Sequence, residues 1–407
     1  MLDYDKTINN GSFCLLPWIH IHTTPTGKAS PCCIANPSIH VGDSTTQGLM
    51  DIVNSPMMNE LRQNMLEGKK HTFCQTCYEH EEHKVGSFRE TVNREYGKHF
   101  QSAVESTNPD GSLKEFKMRY FDIRFSNICN FKCRTCSQDY SSQWEIENKK
   151  LKIYVPPVAK NNNKQFLNEV LSHVPTIETA YFAGGEPLIT EEHYILLDEM
   201  IRLGRTDIRL RYNTNLSNLK FKDRDLLQLW SHFKQPIEVS ASIDHVGKRA
   251  EYIRHGTDWG VVESNFQQLQ KVDYVQMSMN TVLSVYNFMT LDVFYQYLFD
   301  KGMYHPGKLT FQIYKMHGPL HLSSFILPPK FKEEGIKKIN ALVSKMKLMA
   351  FTANSRAEVE SIIPWVSSKN IWEEQKNIFK AETARLDKLR SENFVSTFPE
   401  IADLMYI

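Results

Sequence analysis

Cys129-Asn130-Phe131-Lys132-Cys133-Arg134-Thr135-Cys136 is a C-x3-C-x2-C run that follows Tyr120–Ser126, a short aromatic and β-branched stretch that predicts a strand. Three thiols with no fourth close by can hold three irons of a four-iron cluster and leave the fourth iron open; the usual four-cysteine set leaves no such vacancy. A closed structural zinc site also wants a fourth ligand. The plainer alternatives are a zinc site or thiols with no joint role. The position of the run, where a strand feeds a loop, is where α/β folds place their active sites.

Outward from this run the chain alternates. Further strands are expected at Thr179–Ala183, Ile208–Asn213, Ile237–Ile243, Val275–Leu283 and Leu309–Tyr314. Helix-like stretches at Gln165–His173, Glu191–Leu203 and Val261–Gln270 lie between them, so the reading is a βα repeat with a mostly parallel sheet. Six such units predict an α/β fold, a partial (β/α)6 barrel over residues 117–328. Residues 1–78 are turn-rich and would bury little alone, 79–116 read as a helical linker ending near Asn108-Pro109-Asp110-Gly111-Ser112, and 329–407 read as a helical extension. In that extension Ile336, Ile339, Leu342, Val343 and Met346 form a 3.6-period stripe, and a charged helix is expected from Trp372 to Arg390.

Composition excludes some classes of function. With 407 residues, 41% hydrophobic, 23% charged and a net charge of +1, the chain has no polyelectrolyte signature, so neither nucleic acid nor an anionic membrane is expected as a partner. The start MLDYDKTINN lacks the features of a signal peptide and no stretch approaches a membrane span, which makes the cytoplasm the expected location. All eight cysteines lie at or before Cys136, and in a reducing compartment such bunching suggests metal or cluster ligation more than disulfides.

A second motif, Ala183-Gly184-Gly185-Glu186-Pro187, ends the second expected strand. Paired glycines there let a ligand approach the backbone, and the proline fixes the turn. Thr214-Asn215 ends the third strand, Ser242-Ile243-Asp244 the fourth, and Arg254 follows. Taken with the cysteine run, this order resembles the radical S-adenosylmethionine superfamily. That resemblance implies catalytic cluster ligands at Cys129, Cys133 and Cys136, with the open iron chelating the amino and carboxylate groups of S-adenosylmethionine. It further implies cofactor-binding roles for Gly184, Gly185, Glu186, Pro187, Asn215, Ser242, Asp244 and Arg254, the last as a guanidinium partner of the cofactor carboxylate. One residue departs from the commonest form: Thr135 stands where an aromatic that packs near the adenine often precedes the last cysteine.

The remaining cysteines form their own constellation, Cys14, then Gly27-x4-Cys32-Cys33, then Cys74-x2-Cys77. Two distant pairs brought together give four thiolates, enough for a fully ligated cluster or a tetrahedral zinc, and spacing does not decide between them. The segment from Phe13-Cys14-Leu15-Leu16-Pro17-Trp18 to Cys77 resembles the auxiliary-cluster domain called SPASM, or its shortened twitch form, placed before the barrel instead of after it. The resemblance implies an auxiliary iron–sulfur cluster, of the [4Fe-4S] type, on Cys14, Cys32, Cys74 and Cys77. Cys32 is favoured because it completes a G-x4-C spacing, and Cys33 is either a spare or the true fourth ligand. His20, His22, His80 and His83 lie nearby and are given no role: the first two alternate on a strand, and the others sit on a solvated helix face.

The activity implied is reductive cleavage of S-adenosylmethionine to a 5′-deoxyadenosyl radical that takes hydrogen from a substrate, with electrons from a donor such as flavodoxin or ferredoxin. The substrate expected from the SPASM resemblance is a peptide or protein side chain, and Trp18, Trp365 and Trp372 would line a groove for it if exposed. Alternatives are a small molecule such as a sugar or nucleotide, and a non-catalytic iron–sulfur or zinc protein. The GGEP-like turn and Ser242-x-Asp244 argue against the last, because a scaffold needs no cofactor cleft. The ending Leu386-Asp387-Lys388-Leu389-Arg390 with Phe398-Pro399-Glu400 resembles that of some uncharacterised relatives, and a capped helix packed on the barrel explains it as well.

Overall fold

The computed structural model describes residues 4–84, 86–153, 164–304, 309–348 and 351–407. Two compact units emerge: residues 1–129, 138–212 and 224–235 form the first, and residues 130–137, 213–223 and 236–407 form the second. The six strands expected from the sequence are all present, each starting at or one residue after its expected start.

The first unit is built on β1 (His20–Thr23), β2 (Lys28–Ser30), β3 (Gly42–Asp43), β4 (Tyr120–Ile123), β5 (Thr179–Phe182) and β6 (Arg209–Thr214). β4, β5 and β6 pair in parallel, as a βα repeat requires. The amino-terminal segment enters the same sheet: β1 lies parallel to β4, with His20 opposite Tyr120 and Thr23 opposite Ile123, and β2 and β3 continue antiparallel. Every residue of β1 and β4 is buried, the mark of strands covered on both faces. Turn-rich residues before β4 are held by a buried cation. Arg62, on the helix Pro56–Leu66, donates to the carbonyls of Pro17 (2.9 Å), Gly111 (2.8 Å) and Val53, so one guanidinium satisfies orphan acceptors from three separate segments.

The second unit carries β7 (Ile237–Ser242), β8 (Val275–Leu283) and β9 (Leu309–Lys315), all parallel. The helices Trp259–Leu269 and Leu291–Asp300 stand between successive strands. The helix Pro329–Leu348 buries Ile339, Leu342, Val343 and Met346 of the expected stripe, leaving Ile336 half-buried. The charged helix runs over Trp372–Arg390 as expected and stops where Ser391 turns left-handed (φ 53°). Each unit is thus an assembly of mostly parallel strands and helices of the α/β class, with β2 and β3 antiparallel in the first.

Candidate functional site

Two regions gather the cysteines. In the first unit Cys14, Cys32, Cys74 and Cys77 line one cavity of about 310 Å³, together with Leu16, Phe73 and Arg89. Each arrives by a short, fixed route. Cys74 ends a tight turn, and the helix Gln75–Glu82 carries Cys77 one turn on. Cys32 follows β2, whose entry turns at Gly27 in a left-handed conformation (φ 84°) where a Cβ would collide with Thr45. The turn bearing Cys14 is clamped from the helix Phe88–Tyr96: the Phe13 carbonyl accepts from Arg89 Nη1 (2.8 Å) and Asn93 Nδ2 (2.9 Å), and the Leu15 N–H donates to Asn93 Oδ1 (3.0 Å). Arg89 also forks onto Glu81 (2.6 and 2.8 Å) from the cysteine-bearing helix, so one guanidinium joins the Cys14 turn to the Cys74–Cys77 helix.

The electrostatics of this cavity ask for a positive occupant. Burial pushes all four thiols above the ordinary cysteine range, Cys74 to about 12, and each of Cys14, Cys32 and Cys74 is pushed further by the charge of other cysteines in the set. Four buried thiolates would repel one another, and a bound metal group relieves that repulsion. Among the described residues no three His, Cys, Asp or Glu side chains stand together as ligands of a single metal ion. Four thiols lining one cavity are a donor set that fits a cluster of the [4Fe-4S] kind. Cys33 does not line that cavity. It lines a second one with Cys32, His22, Thr24, Lys28, His40 and Tyr140, and the charges acting on it are those of Asp122, Arg124 and Cys77.

His22, left without a role by its sequence context, has its Nδ1 2.8 Å from Oδ2 of Asp122, which is fully buried and also 3.3 Å from Arg124 Nε. Burial pushes the Asp122 carboxyl up, but His22 and Arg124 outweigh it and hold the group below the ordinary carboxylate range. The sequence-level signal was a charged Asp122-x-Arg124 inside an otherwise apolar strand. The expected groove aromatics are placed differently: Trp18 and Trp372 are 3% and 7% exposed, and Trp365 packs against Phe325 and His317, so all three serve packing. His80 and His83 are exposed on their helix, as expected.

The three-cysteine run begins in the first unit. The Cys129 N–H faces Ser142 Oγ at 3.3 Å, and the Ile128 carbonyl accepts from the Glu186 N–H at 2.7 Å. Gly185 lies so close beneath this loop that a Cβ would strike the Ile128 carbonyl and come within 2.8 Å of the Asn127 carbonyl carbon. The bare backbone of Gly185 therefore makes room for the chain's own cysteine loop, where the sequence suggested room for a ligand. Gly184 is left-handed (φ 130°) with Arg124 against it, and the buried Glu186 carboxylate accepts from the Leu188 N–H (3.2 Å), with Pro187 starting the turn.

In the second unit the run continues along residues 253–255: the Lys132 N–H donates to the His255 carbonyl (2.9 Å) and the Arg134 N–H to the Ile253 carbonyl (2.8 Å). Asn215 Nδ2 donates to Asn130 Oδ1 (3.0 Å), so this polar position holds the loop itself. Asp244 and Arg254 pair with each other (Nε to Oδ2 2.8 Å, Nη2 to Oδ1 3.2 Å), and Asp244 also accepts from the Val282 N–H (2.8 Å). Burial raises the Cys133 thiol, and the nearby Arg254 pulls it back down, so the guanidinium acts on the cysteine. Ser242 is half-buried at the end of β7.

Residues 14–78 match the family model of SPASM, an iron–sulfur cluster-binding domain. No curated protein matches the chain significantly. Among solved structures, the chain is similar to anSMEcpe with bound AdoMet (19% identity, 55% of this chain and 59% of that one, TM-score 0.38). It is also similar to Streptococcus suis SuiB bound to the precursor peptide SuiA (12% identity, 78% and 66%, TM-score 0.38) and to TYW1 with a lysine-pyruvate adduct (15% identity, 56% and 71%, TM-score 0.30). The chain spans less than two thirds of the length of anSMEcpe and of SuiB. Among the described residues no helix is long and apolar enough to cross a membrane.

Proposed function

We propose that the chain is a radical S-adenosylmethionine enzyme whose substrate is a peptide or protein side chain. The observation that carries this reading is the sorting of seven cysteines into two donor sets, four around one cavity and three on the loop after β4. When bound, a cluster on Cys129, Cys133 and Cys136 would supply reductive cleavage of S-adenosylmethionine and hydrogen abstraction by the resulting 5′-deoxyadenosyl radical. The chain's own residues shape that loop: Gly185 and Glu186 seat its start, Asn215 orients Asn130, and Arg254, held by Asp244, places a positive charge beside Cys133. Cys14, Cys32, Cys74 and Cys77 form the electron-accepting site, and the peptide assignment rests on the SPASM match, since domains of that kind commonly accompany peptide maturation.

One feature favours a second reading, a small hydroxylated substrate. The cavity beside Cys32 is lined largely by polar side chains, and it includes His22, whose ring is held by Asp122. Anaerobic reconstitution followed by reduction with S-adenosylmethionine should yield 5′-deoxyadenosine. Deuterated peptides and deuterated small-molecule extracts, offered separately, then decide the substrate by which one passes its label to that product. No 5′-deoxyadenosine from iron-replete, reduced protein would overturn the radical reading.

A further inference from the structure

The ending around Asp387 finds its explanation at the cysteine run. Arg134 lies between Cys133 and Cys136, its side chain fully buried, and its Nη2 is 2.6 Å from both Asp387 Oδ1 and Glu392 Oε2. Its guanidinium also stacks 3.7 Å above the Tyr252 ring. The two carboxylates tie further parts of the same surroundings. Asp387 accepts from Tyr252 OH (2.7 Å) and from the Phe394 N–H (2.6 Å), while Glu392 Oε1 is 2.5 Å from His255 Nδ1. His255 and Ile253 in turn supply the carbonyls that accept from Lys132 and Arg134. These holds on Arg134 pass through residues 252–255 and 387–392, and the Tyr286 hydroxyl also lies against the guanidinium.

We propose that the segment Asp387–Glu392 is a positioning element for the three-cysteine run, with Asp387 and Glu392 fixing Arg134 and setting the charge beside the site. Mere packing of a terminal helix would be served by apolar side chains, and burying a cation with two anions at this spot costs desolvation without need. The pairing makes sense if the turn between Cys133 and Cys136 must keep one shape and a balanced charge. Neutralising the carboxylates leaves a buried, uncompensated guanidinium next to the run, which loosens the turn and raises the reduction potential of a group held there. This inference rests on the proposed cluster role of Cys129, Cys133 and Cys136.

The test compares wild-type protein, the Cys129→Ala/Cys133→Ala/Cys136→Ala variant and the near-isosteric Asp387→Asn/Glu392→Gln variant, all full-length and reconstituted anaerobically. Iron content after gel filtration, the electron paramagnetic resonance signal and the midpoint potential are read from each. The triple variant supplies the signal of the amino-terminal site alone. Expected for Asp387→Asn/Glu392→Gln is a several-fold loss of iron from the three-cysteine site, unchanged amino-terminal iron, and a higher potential for whatever cluster remains. Adding Arg134→Met to that variant should restore the potential toward wild type, because the uncompensated charge is gone; a purely structural role would leave the potential unmoved. Wild-type iron and potential in a folded Asp387→Asn/Glu392→Gln variant overturn the proposal. Equal iron in the wild-type and triple-cysteine proteins instead overturns the cluster reading of the run. Should the double change unfold the chain, Glu392→Gln alone, which leaves the Tyr252 and Phe394 bonds of Asp387 intact, is expected to show a smaller shift of the same sign, and no shift overturns the proposal.

Discussion

The amino-terminal cysteine site and the three-cysteine run solve opposite problems. The first sets four thiols around a closed, mostly apolar cavity and braces them from outside with Arg89. The second strings three thiols along a loop held by backbone bonds from Asn127, Ile253 and His255, with Arg254 beside Cys133. A site that only stores electrons gains from complete ligation, while a site that must bind a second molecule gains from an open position on a rigid loop. If this contrast is right, losses in the two regions should be separable.

The largest expected effect comes from removing either donor set. Cys129→Ala/Cys133→Ala/Cys136→Ala should lose about four irons per chain and all 5′-deoxyadenosine formation while the amino-terminal site keeps its iron. Cys14→Ala/Cys32→Ala/Cys74→Ala/Cys77→Ala should show the converse iron loss, and Cys33→Ala should keep both. Iron analysis with anaerobic cofactor-cleavage assays checks all three, and stoichiometric zinc at the amino-terminal site in place of iron would break the contrast.

Next in size is Gly185→Val. Its side chain would have to displace the Ile128 carbonyl from the start of the cysteine loop. The clash is with backbone, so a cost of roughly 3 kcal/mol is expected. Iron at the three-cysteine site and cofactor affinity should then fall together. Normal iron with weak cofactor binding would instead mean that Gly185 serves a ligand directly.

A third change addresses the brace of the other region. Arg89→Met removes a 7% exposed guanidinium from Glu81 and from the Phe13 carbonyl, leaving the carboxylate without its cation and the carbonyl with Asn93 alone. Breaking such a pair costs about 3 kcal/mol. The variant should melt earlier and hold amino-terminal iron less firmly, with the three-cysteine site unaffected. Thermal melts and site-resolved iron loss decide it.

Much of this was legible in the sequence because it rests on local signals. Strand starts followed from β-branched and aromatic runs, and the bunching of the early cysteines signalled that Cys14, Cys32, Cys74 and Cys77 could gather around one space. What sequence could not give depends on distant pairing. Nothing local says that β1 lies beside β4, a hundred residues on, and therefore that His22 meets Asp122. Nothing local says that Arg134 meets Asp387 and Glu392 either. That the backbone of Gly185 lies against Asn127 and Ile128 is likewise a distant pairing that no local pattern announces.

The smallest expected effect concerns the buried charges on the wall between Cys33 and β4. Asp122 is held below the ordinary carboxylate range, so the unfolded chain takes up its proton at higher pH than the folded one. Its contribution to stability is complete above about pH 4, the unfolded value, and is lost as pH falls through the lower folded value. His20 acts in a different window. Burial lowers it to about 4, so unfolding takes up a proton between about pH 6.5 and 4, and stability falls across that range as acid is added. Asp122→Asn should therefore lower stability at pH 7, where His22 and Arg124 lose their anion, and remove the carboxylate's own loss below pH 4; because Asp122 also holds the His20 ring up, the loss that begins near pH 6.5 should run on to lower pH in the variant. Urea midpoints at pH 7, 5 and 3 read these slopes. Because Asp122 acts on Cys33 and on none of the four cavity thiols, amino-terminal iron should stay at the wild-type level at pH 7. Loss of that iron in Asp122→Asn would show that the wall of the polar cavity and the cysteine cavity behind it are one site.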